Sequence, residues 1–156
     1  MDNKHRFFIT GLLWLIMTLA VPSWLFFTAD RCIACHNQLS DQRGGNISIG
    51  DNWRSSMMAN SARDPYWQAA GRREIMVHPS ASSAIQNECS ACHMPMSRYM
   101  GKIQGRMGEV LAHLPVQNPG NEWSMLARDG VSCALCHQIT PRGLGKQESF
   151  TAGFVI

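Results

Sequence analysis

Three copies of one five-residue pattern take up every cysteine in the chain: Cys32-Ile33-Ala34-Cys35-His36, Cys89-Ser90-Ala91-Cys92-His93 and Cys133-Ala134-Leu135-Cys136-His137. Each pair is followed at once by a histidine. With 6 histidines in 156 residues, three such coincidences have odds on the order of one in ten thousand. Cysteines at i and i+3 share one side of a helical turn, and the residue at i+4 stands on the same side. Two thiols so placed reach the two vinyl groups of one porphyrin while the imidazole reaches its iron. The pattern therefore points to three haem c groups. Cys32, Cys35, Cys89, Cys92, Cys133 and Cys136 become the covalent anchors, and His36, His93 and His137 the proximal ligands.

Other chemistries explain less. Zinc would draw four ligands from two half-sites, and three copies do not pair into complete sites. Disulfides in an exported protein leave the three histidines without a role. A dithiol redox switch of the thioredoxin type needs a βαβ setting that the sequence lacks.

Position along the chain adds a constraint. From Phe7 to Phe27 there are 21 residues without a charge, FFITGLLWLIMTLAVPSWLFF. At ~1.5 Å rise per residue such a helix crosses a hydrocarbon layer of about 30 Å. Trp14 and Trp24 suit the two interfaces, and Lys4 and Arg6 in the flank 1–6 keep that end cytoplasmic. A cleaved signal peptide is the rival. The run exceeds the usual signal length, and Phe27 and Pro22 crowd the cleavage positions near Ala29 and Ser23. The expectation is a single-pass anchor at 7–27 in a bacterial cytoplasmic membrane, with residues 28–156 as a trihaem domain on the periplasmic or outer side. Only Thr28 to Arg31 separate Cys32 from the apolar run, so the first site should rest at the outer membrane boundary. The exported part carries 12 Lys/Arg and 10 Asp/Glu. That mixture lacks the basic patch that nucleic-acid binding calls for. Six haem propionates would turn the loaded domain acidic, which bears on its docking partners.

The sixth ligands are fewer than the irons. His5 lies on the cytoplasmic flank, which leaves His78 and His113 for three distal positions. At least one iron is thus Met-ligated, otherwise ligated or open, and a thioether would raise its potential over bis-His neighbours. Met57 and Met58 stand in a short polar helix, where they serve either packing or ligation. Met94 and Met96, in CHMPM, are rivals for the same role.

The stretch Trp53-Arg54-Ser55-Ser56-Met57-Met58-Ala59 resembles the W-x-x-S-M-H-A motif of multihaem cytochromes c related to the tetrahaem cytochromes of nitrification. Met58 stands where that family has a ligand histidine. NECSACHMPMSRY, VLAHLP and DGVSCALCHQI are similar to pieces of the same group, so the resemblance covers roughly residues 50–140. It implies His113, Met58 and His78 as distal ligands. The anchor followed closely by a first CxxCH is also similar to membrane-anchored quinol dehydrogenases that feed periplasmic reductases. Those carry four or more haems, and no carboxylate or lysine here takes the part of their quinol site.

Pattern and punctuation give helices near 51–61, 64–76, 81–93 and 121–137, the last broken at Gly130, with Asp64-Pro65 as N-cap and first helical residue. The expected fold is mainly α: one transmembrane helix plus a small haem-packed domain of short helices and long loops. Porphyrin faces would replace side chains in its modest core. ESFTAGFVI alternates like the entry to a strand and lacks a closing cap, so the chain is expected to be truncated there or to dock on a partner. Electron transfer through three haems is the leading function. Its partners would be the membrane, other redox proteins or a membrane complex, and a quinol. A quinol-oxidising or nitrogen-oxide-reducing enzyme subunit is the alternative.

Overall fold

The computed structural model describes residues 25–156. All of the expected anchor except Leu25, Phe26 and Phe27 lies outside the described residues. Among those described, no helix is long and apolar enough to cross a membrane.

The described chain is mainly helical and contains no strand, only one isolated bridge between Ser40 and Asn46. In chain order the helices are α1 (Ala29–Ile33), α2 (Ile49–Arg54), α3 (Met57–Asn60), α4 (Pro65–Val77), α5 (Ser82–His93), α6 (Pro95–Ile103), α7 (Glu122–Arg128) and α8 (Cys133–Cys136). Local chemistry sets most boundaries. Asp64 caps α4 by accepting the Tyr66 N–H at 2.9 Å with Pro65 at the first helical position, as the sequence implied. The helix stops at Val77, one residue before His78-Pro79, because proline disfavours a helical predecessor. The expected helix over 51–61 is two helices, since Ser56 leaves the helical region and caps α3 through the Ala59 N–H at 3.2 Å. The break at Gly130 is present. The chain adopts φ +66 there between α7 and α8.

α6 has no counterpart in the sequence expectation. It starts on Pro95 and ends in a paired closure, Gly105 N–H to the Lys102 carbonyl and Arg106 N–H to the Gly101 carbonyl, with Gly105 at φ +71. The strand-like tail is corrected as well. Residues 147–149 form a single 3₁₀ turn, and Thr151 and Ala152 take left-handed φ values of 52° and 60°. The backbone therefore bends where a strand would run straight. Beyond the bend, the Val155 carbonyl accepts the Thr140 N–H at 2.8 Å and the Ile156 carbonyl accepts the Tyr99 hydroxyl at 3.4 Å.

Two apolar clusters form the core. Trp67, Met94, Val110, Val116 and Ala127 make the first, with Cys89 packed against it. Phe26, Met96, Met100, Leu126 and Leu135 make the second, joined by Tyr99 and the tail residues Phe154 and Ile156. Phe26 is 1 % exposed and meets the Tyr99 ring edge-on at 5.7 Å. The end of the apolar run is thus part of this domain's core.

Candidate haem-attachment sites

Each CxxCH is a helical turn. The His36 N–H bonds the Cys32 carbonyl at 3.0 Å and the His137 N–H bonds the Cys133 carbonyl at 3.0 Å, while α5 ends on His93 itself. In each motif the first cysteine is half-buried and the second exposed, and none is joined to another. A turn of this kind holds two thiols and an imidazole on one side. Burial pushes the Cys89, Cys133 and Cys136 thiols up, with Cys32 a further upward influence on Cys133. A raised thiol works against the thiolate that coordination of a bare metal ion requires. Among the described residues, no group of three His, Cys, Asp or Glu converges to hold such an ion.

The fold brings the first and third motifs together. Cys32, Cys35 and His36 line one side of a cavity of about 420 Å³, and Cys133, Ala134 and His137 line another. Ile49 and Gly50 of α2 complete the wall, which is largely apolar. Gly50 lies so close to α1 that a Cβ there would stand 2.8 Å from the Ile33 side chain. Buried Asp129 is the lock. Its carboxylate accepts the Ala29 N–H at 2.7 Å, at the start of α1, and the Ser132 hydroxyl, just before α8. Gln138 adds a second tie by donating to the Leu25 carbonyl at 2.7 Å. The short segment after the apolar run is therefore fixed beside the third motif.

The second motif is built differently. His93 Nδ1 lies 2.6 Å from the Ser61 carbonyl, and the Ser61 hydroxyl donates to the His93 carbonyl at 3.2 Å. An imidazole whose Nδ1–H is given to a carbonyl keeps its Nε2 lone pair for a metal. The Trp67 ring stacks on the imidazole with centroids 3.9 Å apart.

Of His113, Met58 and His78, the distal ligands the resemblance implies, His113 alone is buried. It sits in the turn Leu111–His113, 8 % exposed, with Nδ1 3.2 Å from the Ser124 hydroxyl. Burial holds its imidazole below the ordinary value, with Glu109 opposing, so the ring is neutral and able to ligate. His78 is exposed at the end of α4, 3.8 Å from the Glu74 carboxylate. Met58 is 54 % exposed and Met57 89 %, while Met94 and Met96 are wholly enclosed, one in each apolar cluster. The two enclosed thioethers serve packing. What anchors Met58 is its backbone, whose carbonyl accepts the Val131 N–H at 3.0 Å, while the Trp53 indole donates to the Val131 carbonyl at 3.0 Å. The W-x-x-S-M-M-A stretch is thus clamped to the approach to the third motif.

Sequence reasoning missed Asp129, Ser61, Trp67 and Ser124, the residues that orient the motifs. Only Asp129-Gly130, directly before a CxxCH, carried a signal, and it reads as a turn. The chain matches no protein-family model, no curated protein and no solved structure.

Proposed function

We propose that the chain is a membrane-tethered trihaem cytochrome c that carries electrons between a membrane donor and a periplasmic acceptor. The observation that carries this reading is the shared apolar cavity walled by the first and third CxxCH turns, lined by Cys32, Cys35, His36, Cys133 and His137. The donor set fits haem c: paired thiols, one imidazole per turn, and an apolar wall for a porphyrin face. Bound haem c supplies reversible one-electron exchange without bond making.

The chain's own residues do the rest. The cysteines would tether three porphyrins, and His36, His93 and His137 would ligate them. Asp129 holds the first and third turns at fixed separation, which keeps two redox sites adjacent. His113 is the distal ligand the packing supports best, buried and held through Nδ1. Met58 and His78 are the surface-presented candidates for the remaining positions. The packed segment from Leu25 to Ala29 leads straight into the first motif, so a quinol or a membrane redox complex would meet that site first.

A redox titration of the purified protein tests the reading. Three one-electron steps with no turnover of nitrite or hydroxylamine are expected. Sustained reduction of either compound would instead favour the enzyme alternative.

A further inference from the structure

We propose that Trp67 is the positioning residue of the second site, fixing the plane of the His93 imidazole and through it the character of the iron that His93 would ligate; this rests on the haem c reading above. Two constraints of different kinds act on that ring. The Ser61 carbonyl, 2.6 Å from Nδ1, acts at the edge of the ring and holds one atom. The Trp67 ring, 3.9 Å away and tilted by only 7°, acts on the face and resists turning about the Cβ–Cγ bond. Together they fix the direction of the Nε2 lone pair.

A second observation puts Trp67 at the other end of the same motif. Its indole N–H is buried and has no nitrogen or oxygen partner, an unusual state for a polar group. The indole lies against Cys89, the first cysteine of the motif, whose sulfur is a weak acceptor. Trp67 therefore spans the motif from its first cysteine to its histidine. The other two sites have nothing comparable among the described residues, since His36 and His137 are exposed and no aromatic ring stacks on either. One imidazole of the three is locked, and its hydrogen bond to a carbonyl raises its basicity and favours ferric iron.

The test uses the haem-loaded protein and two variants: Trp67→Leu and Trp67→Phe. Ferric electron paramagnetic resonance reads the axial-ring orientation at each low-spin iron, and a redox titration reads the three potentials. Trp67→Leu should shift one of the three signals and one potential and leave the other two in place. Trp67→Phe keeps the stack without the N–H and should restore that signal toward the wild type. Unchanged signals in Trp67→Leu, or equal shifts in the Leu and Phe variants, overturn the proposal. A protein that carries no haem c at all overturns the underlying reading instead.

Discussion

Replacing Gly130 by alanine should disturb two sites at once. Gly130 has φ +66, and a Cβ there would stand 2.7 Å from the Met58 carbonyl oxygen, 2.7 Å from the Ser61 hydroxyl and 3.3 Å from the Ala59 carbonyl oxygen. The left-handed conformation costs alanine about 1 kcal/mol. The serine hydroxyl can rotate away, but two backbone carbonyls cannot, and forced displacement in a packed site costs about 1–3 kcal/mol. A total near 3 kcal/mol is expected, equivalent to about 10 °C in melting temperature for a domain of this size. The displaced segment holds the third motif through Met58 and Val131, and the second through Ser61 and His93. Absorption and circular dichroism melting of the holoprotein would therefore show lower stability together with perturbed signals from two sites. Gly120→Ala is the control, because a Cβ there meets nothing within 4 Å. A Gly130→Ala protein that melts within about 1 °C of wild type, with unchanged spectra, would refute the close approach of these segments.

Other outcomes follow from the same contacts. Asp129→Ala strips buried partners from the Ala29 N–H and the Ser132 hydroxyl, so a loss of about 2–4 kcal/mol is expected. Hydrogen exchange should accelerate first at Ala29, and an unchanged rate there would remove Asp129 as the lock. Ser124→Ala releases the His113 Nδ1 at a cost of about 1 kcal/mol and should alter the ligand-field spectrum of one iron. Identical spectra would count against His113 as a ligand. Near-infrared magnetic circular dichroism should lose any thioether band in Met58→Leu but keep it in Met57→Leu; the reverse would exchange their roles.

Features written in consecutive residues were legible in the sequence. The Asp64-Pro65 start, the stop before Pro79, the break at Gly130 and the CxxCH turns at the ends of α5 and α8 all follow from local chemistry. α6 was legible in principle, since Met96 and Met100 lie one turn apart and both are buried, but its methionines invite reading as ligands. The tail shows the limit of alternation as a signal. Without a neighbouring strand to pair with, Phe154 and Ile156 find their burial by packing beside Phe26 and Tyr99. The meeting of the first and third motifs was not legible. It depends on Asp129 reaching the Ala29 amide across a hundred residues, and nothing local marks that partner. Trp67 carried no signal for the same reason, because its stacking partner is fixed only once α4 and α5 pack.

The central claim, that three CxxCH turns carry three haem c groups, is tested most directly by the intact mass of the chain produced in a host that attaches haem c. The account predicts covalent addition of three haems, falling to two in each of Cys32→Ala/Cys35→Ala, Cys89→Ala/Cys92→Ala and Cys133→Ala/Cys136→Ala. A chain that emerges at its bare polypeptide mass, or with fewer than three haems when none of the cysteines is changed, would contradict it.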